Sequence, residues 1–289
     1  KEDLNDKTAV GVNLPCIIAG DYLNGEIAPV LRDIIPQGAG RRAMVKQLGY
    51  DRDPEQAIDV RLLAEGCVGP IGNLRIKEAA EAFEQNVAAS EVMLFGRQEV
   101  CTRADDLVQY AHHLHIAIGG TTGAGGDAPK LLLVETHEGE YALEGTIPEQ
   151  DIARHWLVKF PRGRRTIEDV KVLEGEAAVY RLLEARGFNT ITGAAFEDIY
   201  GAVALWMPRF DREVTDEGVE RHGMESVYSM MGMVGDGARL EHLHVIRKLR
   251  ECVTRPEDKD ALLVDYLVRD VLNTAVGNRD NHGRNTSLI

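Results

Sequence analysis

An aspartate and an asparagine stand five residues apart in the segment NRDNHGRN, residues 278–285. In protein kinases an Asp with this spacing accepts the proton of the attacking hydroxyl, and the Asn holds a magnesium ion on the ATP phosphates. On this interpretation Asp280 is the catalytic base and Asn285 is the metal ligand. The alternative is an ordinary turn after a helix, because Asp, Asn and Gly are frequent in turns for conformational reasons.

A glycine-rich run, GGTTGAGG at 119–126, lies upstream and is followed by Lys130. Glycines remove side chains from a loop and let backbone N–H groups converge on an anion such as phosphate. The run fits neither the Walker A pattern nor G-x-G-x-x-G, and a flexible linker is the alternative. An apolar run at 131–134, a turn at 137–140 and a second run at 141–143 predict a hairpin directly behind the loop.

A single cation, Lys159, stands among apolar neighbours in the run HWLVKFP at 155–161. A lysine in an apolar strand loses solvation unless it meets an anion, which here would be a nucleotide phosphate together with a helical carboxylate. Glu176 is available for this role on a helix predicted from a Thr166 cap to about Arg186, with Gly187 ending it. The alternative is an edge-strand lysine whose amine reaches solvent.

Other elements must position these groups, and their order is typical of an α+β protein. Further helices are predicted at 29–35, 40–48, 54–64, 77–88, 224–231, 241–253 and 259–276, and further strands at 73–76, 190–196 and 202–210. The last helix carries an apolar stripe and ends just before Asp280. We therefore expect it to deliver the aspartate to its site.

Charge and composition exclude some classes of function. The net charge of -14 argues against direct nucleic-acid binding, since phosphate backbones attract basic surfaces. No run has the length and apolarity of a transmembrane helix, so no membrane association is expected. Cys16, Cys67, Cys101 and Cys252 lack C-x-x-C spacing, which indicates buried small hydrophobes in a reducing cytoplasm.

Taken in order, these motifs resemble the HipA-type serine/threonine kinases, the toxins of bacterial toxin-antitoxin pairs. The similar segments are GGDAPK at 125–130, LVKFP at 157–161, GEAAVYRLLEARG at 175–187, MPRFDR at 207–212 and VGNRDNHGRNTSLI at 276–289. Segments 32–49 and 66–76 resemble the small N-terminal subdomain of that family. RFDR followed by D-x-H-x-x-N in this order is the most specific part of the resemblance.

The resemblance implies a role for each matching residue. Asp280 would be the base and Asn285 the magnesium ligand, with Lys159 on the ATP phosphates. The other implied nucleotide-binding residues are Gly125, Gly126 and Lys130 in the phosphate loop, Met207, Arg209 and Phe210 in the adenine hinge, and His282 and Arg284 in the catalytic loop. The sequence departs from the family's pattern at Pro129, which precedes the loop lysine, and at Pro208, which removes one hinge N–H.

The fold implied by the resemblance is a bilobal kinase-like α+β fold behind a small N-terminal subdomain. We predict an N-terminal subdomain at 1–100, a kinase N-lobe at 101–214 and the start of a helical C-lobe at 215–289. Kinases carry a second metal-binding Asp soon after the catalytic loop, whereas this sequence stops four residues beyond Asn285 and lacks an initial methionine. We therefore expect the helical lobe to be truncated here and the second Asp to follow Ile289.

The function implied by the resemblance is an ATP- and magnesium-dependent protein kinase that inhibits growth. Its expected substrate is a translation component such as an aminoacyl-tRNA synthetase, and its expected partner is an antitoxin through which the family reaches DNA. Thr121 and Thr122 in the glycine-rich run are candidate autophosphorylation sites, by similarity to a serine in that region of the family. Two alternatives stay open, a catalytically inactive nucleotide-binding regulatory module and a metal-dependent nuclease that uses Asp280, His282 and Asn285.

Overall fold

The structure, a computed structural model, describes residues 9–14, 27–52, 54–116, 128–162, 166–234, 237–253 and 255–289. Contacts within the chain divide it into two compact units. The sheet unit is Ile34–Gly223, and the helical unit combines Lys1–Asp33 with Met224–Ile289. The predicted domains 1–100, 101–214 and 215–289 stay a prediction.

Helices and strands alternate in blocks along the chain. The helices in the described part are α1 Pro29–Ile34, α2 Gly38–Leu48, α3 Glu55–Gly66, α4 Lys77–Ala88, α5 Arg97–Thr102, α6 Asp105–His113, α7 Ile167–Ala185, α8 Val227–Met230, α9 His242–Cys252 and α10 Pro256–Ala275. The strands there are β1 Lys130–Thr136, β2 Tyr141–Leu143, β3 Ile152–Lys159, β4 Ala195–Ile199, β5 Ala202–Pro208, β6 Arg212–Thr215, β7 Gly218–Arg221, β8 Glu225–Ser226 and β9 Ser287–Leu288. This mixed composition confirms the predicted α+β class.

The sheet unit is built on a five-stranded antiparallel sheet in the order β2-β1-β3-β5-β4. The hairpin predicted behind the glycine-rich run is confirmed, since β1 pairs with β2 across a turn that contains Gly139 at φ 83°. The predicted lysine strand is confirmed as β3. In the β1–β3 ladder Lys130 lies opposite Lys159, so the register places both lysines at one end of the sheet.

The two faces of this sheet have different surroundings. Alternate residues point to opposite faces of a strand, so Leu131, Leu133 and Trp156 share one face. They belong to one large core with side chains of α5 and α6, including Val100 and Leu107. The face that carries Lys159 is covered in part by α7, which contacts β4 and β5. The sheet therefore buries its first face in a core and presents its lysines on the other.

Helix α7 begins and ends where the sequence predicts. The Thr166 hydroxyl accepts a hydrogen bond from the Asp169 N–H at 3.2 Å, and the Asp169 carboxylate accepts one from the Thr166 N–H at 3.0 Å. These reciprocal bonds form a capping box. Gly187 adopts φ 73° just beyond the helix, a left-handed conformation that is readily available to glycine.

The helical unit is held together around the antiparallel pair α9 and α10 and the short α8. Val227, Met230, Val245 and Leu249 form its buried cluster, against which residues of α10 pack. Strand β8 pairs with β9, and the Val227 N–H donates to the Thr286 carbonyl at 2.8 Å. These bonds attach residues 286–288 to β8 and α8. The chain that follows α10 therefore returns to the buried cluster.

Several predicted elements are wrong in extent. The strand predicted at 73–76 is irregular, because the preceding Gly72 N–H donates to the Asp211 carboxylate at 2.6 Å instead of entering a ladder. The strand predicted at 190–196 begins only at Ala195, after a turn with Gly193 at φ 72°. The helix predicted at 224–231 begins as β8. The sequence analysis also missed α5, α6 and the β6–β7 hairpin.

Two predictions from composition concern cysteines and membranes. Cys67 and Cys101 are buried and free, as predicted, and Cys252 is free and partly buried. Cys16 lies outside the described residues. Among the residues that the structure describes, no helix has both the length and the apolarity needed to cross a membrane. The cytoplasmic location stays a prediction.

Candidate active site

Lys159 forms an ion pair with the helical carboxylate that the sequence singled out. Its Nζ lies 2.5 Å from Glu176 Oε1, and both side chains are partly buried. The Tyr180 hydroxyl, one turn further along α7, donates to the same oxygen at 3.2 Å, and burial together with the Glu176 charge raises the pKa of Tyr180. Two donors therefore hold Glu176 against the strand. A strand lysine paired with a helix glutamate is the pair that protein kinases require in their active conformation.

Lys130 is a second lysine at the same end of the sheet as Lys159. It is the first residue of β1, lies opposite Lys159 in the register and is only 3% exposed. The Phe160 N–H donates to the Pro129 carbonyl at 2.9 Å, so regular pairing reaches back to that proline. Gly125, Gly126, Thr121 and Thr122, the other predicted loop residues, lie outside the described residues.

The three predicted hinge residues differ in burial and in their contacts. Met207 is buried in β5 and lies opposite Leu157, on the face of the sheet that carries Lys159. Phe210 is 42% exposed. Arg209 is buried, and its backbone N–H donates to the His155 carbonyl at 2.9 Å. The nucleotide contacts predicted for these residues stay predictions, although the Arg209 N–H already has a partner within the sheet unit.

The Arg209 side chain belongs to a buried group of charges that we call the arginine-carboxylate cluster, formed by Glu144, Arg209, Asp211 and Arg212. Arg209 donates to Glu144 and twice to Asp211, each at 2.6 Å, and Arg212 donates to Asp211 at 2.8 Å. Burial opposes ionisation of both carboxylates, but the two guanidinium groups hold the pKa of Glu144 and of Asp211 below the usual range. The RFDR motif thus forms an ionised anchor within the sheet unit.

The structure places Asp280 and Asn285 in contact, and the roles of base and metal ligand predicted from their spacing stay predictions. The Asn285 side-chain nitrogen donates to the Asp280 backbone carbonyl at 2.6 Å, and the Asp280 N–H donates to the Asn278 side chain at 3.0 Å. The Asp280 carboxylate itself is 65% exposed. Because the Asn285 nitrogen is engaged in the loop, its oxygen is the atom that would face a cation, and oxygen is what magnesium binds.

His282 lies beside the predicted base. Its Nε2 is 3.3 Å from Asp280 Oδ1, and its ring stacks on Tyr228 with centroids 5.9 Å apart and planes 10° from parallel. The Arg284 N–H donates to His282 Nδ1 at 3.3 Å. A ring nitrogen that accepts is unprotonated, so in the neutral imidazole the proton is on Nε2, the nitrogen 3.3 Å from the Asp280 carboxylate. The histidine can therefore orient the Asp280 carboxylate.

Arg284 has a buried partner that the sequence analysis missed. Its Nη1 donates to Asp33 Oδ1 at 3.0 Å, and both side chains are 4% exposed. Asp33 lies 251 positions away, on α1, so no spacing could have connected the two residues. The one available signal was the pair of charged residues Arg32 and Asp33 in the otherwise apolar stretch VLRDII. A nucleotide contact by Arg284 stays a prediction, and the structure directs this side chain to Asp33.

The described residues supply only part of the metal site that the resemblance to kinases implies. Asn285 fits as an oxygen ligand. Among the described residues, no group of three or more His, Cys, Asp or Glu side chains lies in a position to hold a metal ion. The second metal-binding aspartate of the kinase pattern stays a prediction.

The chain is similar to a known protein family and to a solved structure. Residues 122–289, more than half of the chain, match the HipA-like C-terminal domain family. A solved structure of HipA from Shewanella oneidensis MR-1, in a complex with HipB and operator DNA, is similar with a TM-score of 0.58 and 19% sequence identity. The match covers 90% of this chain and 59% of that HipA chain, and it shows a shared fold. A search of the curated proteins found no match.

Proposed function

The chain belongs to the HipA-like C-terminal domain family, and from this premise we propose that it acts as an ATP-dependent protein serine/threonine kinase and as the toxin of a toxin-antitoxin pair. The observation that carries the proposal is the loop in which Asn285 bonds to the Asp280 carbonyl at 2.6 Å while the Asp280 carboxylate stays exposed. The Lys159–Glu176 pair supports it independently from the sheet unit.

The proposed chemistry assigns one task to each described group. Asp280 accepts the proton of the substrate hydroxyl as that oxygen bonds to the γ-phosphorus, while the bond from this phosphorus to the β,γ-bridging oxygen breaks and ADP leaves. His282 keeps the Asp280 carboxylate oriented. Lys159 binds the nucleotide phosphates, with Glu176 fixing its position. Bound magnesium would neutralise charge on the phosphates, and Asn285 is the described residue that would hold it.

The biological role follows from the family and from the similar structure. HipA of S. oneidensis is seen with HipB and operator DNA, so we propose a cognate antitoxin as partner, with DNA reached through that partner. The net charge of -14 supports this indirect route. A translation component such as an aminoacyl-tRNA synthetase is the proposed substrate class. Thr121 and Thr122 are proposed as autophosphorylation sites.

Transfer of labelled γ-phosphate from ATP to protein tests the proposal. Asp280→Ala should lower the transfer rate by about 10²- to 10⁴-fold, the usual contribution of a general base. Asp260→Ala, which removes an exposed aspartate from α10, is the matched control and should transfer at the wild-type rate. Wild-type protein that binds ATP without transfer would indicate a regulatory module, and magnesium-dependent cleavage of nucleic acid would indicate a nuclease. Either outcome would overturn the kinase proposal.

A further inference from the structure

The N-terminal part of the helical unit contributes a buried carboxylate to the support of the candidate catalytic loop. We propose that Asp33 and Arg284 are positioning residues that set the geometry of His282 and, through it, of Asp280. This inference rests on the proposed function, because it assigns a role in the reaction attributed to Asp280. It gives Arg284 a task other than the nucleotide contact implied by family resemblance.

Asp33 is held on both of its oxygens. Oδ1 accepts from the Ser226 hydroxyl at 2.7 Å and from Arg284 Nη1 at 3.0 Å, and Oδ2 accepts from the Ser226 backbone N–H at 2.8 Å. Ser226 in turn caps α8, since its hydroxyl accepts from the Ser229 N–H at 3.1 Å. Asp33 therefore joins α1, the start of α8 and the catalytic loop at one buried point.

Arg284 connects Asp33 to the catalytic loop, because its side chain binds Asp33 and its backbone N–H binds His282. Its guanidinium is anchored at Asp33, while its N–H donates to His282 Nδ1 at 3.3 Å. That bond sets which nitrogen of His282 carries the proton, and Nε2 lies 3.3 Å from the Asp280 carboxylate. A displacement of Arg284 would therefore move His282, and His282 would in turn move Asp280. Both contacts lie within the helical unit.

Tyr228 also packs against the catalytic loop, at Gly283 and His282. Its N–H donates to the Gly283 carbonyl at 3.1 Å, and its ring stacks on His282. A Cβ added at Gly283 would lie 2.4 Å from the Tyr228 ring, so the backbone packs too closely for any other residue there. Tyr228 also donates to the Ala238 carbonyl at 2.8 Å, which fixes the hydroxyl end of the ring. His282 thus contacts both Tyr228 and Arg284, and the anchoring of Arg284 is the part of this support that Asp33 supplies.

A positioning role and a nucleotide contact predict different kinetics. If Arg284 positions the loop, its loss lowers kcat and leaves KM for ATP nearly unchanged. If it contacts the nucleotide, its loss raises KM for ATP, and Asp33→Asn has a much smaller effect. A purely structural pair lowers thermal stability and leaves kcat unchanged at temperatures where the variant is folded.

A double-mutant cycle with Asp33→Asn and Arg284→Met in the complete protein tests the proposal. Each single variant should lower kcat by about 10- to 100-fold, as small misplacements of reacting groups do, with KM for ATP within about twofold. The double variant should be no slower than the slower single variant, because both remove the same support. Arg284→Lys should recover part of the lost kcat. Asp59→Asn is the control, since Asp59 pairs with Arg41 at 2.5 Å in the sheet unit, and kcat should not change.

A spectroscopic measurement separates this proposal from the kinase activity. The ring-nitrogen chemical shifts of His282 report which nitrogen is protonated, and they can be measured whether or not the protein transfers phosphate. Asp33→Asn and Arg284→Met should both change these shifts, and Asp59→Asn should leave them as in the wild type. Unchanged His282 shifts in all three variants would overturn the positioning role even if the protein is a kinase. Changed shifts in a protein without transfer activity would retain the contact and overturn the proposed function.

Discussion

Each unit contains a buried arginine-carboxylate group, and the two groups differ in the ionisation of their acids. In the sheet unit, Arg209 and Arg212 surround Glu144 and Asp211, and the pKa of both carboxyls lies below the usual range despite burial. In the helical unit, Asp33 meets Arg284 and the Ser226 donors. There burial outweighs the partners and raises the pKa of Asp33.

The difference shows that burial alone does not decide how a charged group behaves. Desolvation opposes ionisation in both places, and at Glu144 and Asp211 the arginines and hydrogen bonds outweigh it. At Asp33 the Ser226 and Arg284 contacts do not outweigh it, and the charge of Glu225 adds to the upward shift of the pKa. The arginine-carboxylate cluster is therefore a firmly ionised anchor inside the sheet unit. Asp33 ionises less readily, and its partner Arg284 lies in the loop that carries Asp280.

The largest expected effect comes from breaking the arginine-carboxylate cluster. Arg209→Met leaves Glu144 and Asp211 with one guanidinium between them, and removal of one partner from a buried pair costs about 3–5 kcal/mol of unfolding free energy. Denaturant unfolding measures the loss, and Arg181→Met on the exposed side of α7 is the control. A loss below about 1 kcal/mol would show that the cluster is not the anchor described here.

Arg284→Met should cost less, about 1–3 kcal/mol, because it leaves a single buried carboxyl whose pKa is already raised and which can take up a proton. The same unfolding measurement applies, with Arg269→Met on the surface of α10 as the control. If Arg284→Met destabilised the protein more than Arg209→Met, the ranking of the two groups would be reversed.

The pH dependence of stability should have opposite signs in the two units. Glu144 has a lowered folded-state pKa, so its contribution is present above the unfolded pKa and is lost as pH falls through the folded value. Glu144→Gln should therefore cost more at about pH 7 than at about pH 4. Asp33 has a raised folded-state pKa, so its ionisation opposes folding as pH rises, and Asp33→Asn should cost less at about pH 7 than at about pH 4. Unfolding curves at both pH values measure the two slopes, and slopes of equal sign would contradict the comparison.

The smallest expected loss of stability is for an ion pair on the surface of α10, which serves as the baseline for the two buried groups. Arg269 and Asp265 form an i,i+4 pair at 2.6 Å on α10 with both side chains well exposed. Asp265→Ala should cost only about 0.3–0.5 kcal/mol, and added salt should reduce this further. A cost comparable to that of Arg284→Met would mean that burial is not what makes the other two groups matter.

Local patterns predicted much of the fold and the central pair of the site. Alternating apolar residues predicted the β1–β2 hairpin, and Thr166 with Gly187 marked the ends of α7. The isolated charge of Lys159 predicted a carboxylate partner, which the structure shows as Glu176. The five-residue spacing of Asp280 and Asn285 predicted a base and a metal ligand, and these roles stay predictions. Each of these signals lies within a short stretch of chain or follows from the solvation of one buried charge.

Partners far apart in sequence could not be predicted in this way. Gly72 bonds to Asp211 across 139 positions and Arg284 to Asp33 across 251, and no periodicity connects such residues. The first of these bonds is why the strand predicted at 73–76 is wrong, since the backbone just before it is bound to a side chain. The family pattern marked Arg209 and Arg284 as important residues. Only the structure shows that their side chains pair with buried carboxylates.

The proposed function assigns nucleotide binding to Lys159 and proton transfer to Asp280. Equilibrium affinity for magnesium-ATP, measured for Asp280→Ala and Lys159→Met beside the control Lys171→Met, tests it most directly. Asp280→Ala should bind within about threefold of wild type while losing transfer, and Lys159→Met should bind about tenfold or more weakly, a difference of about 1.4 kcal/mol or more. Wild-type affinity in Lys159→Met, together with lost affinity in Asp280→Ala, would contradict the account.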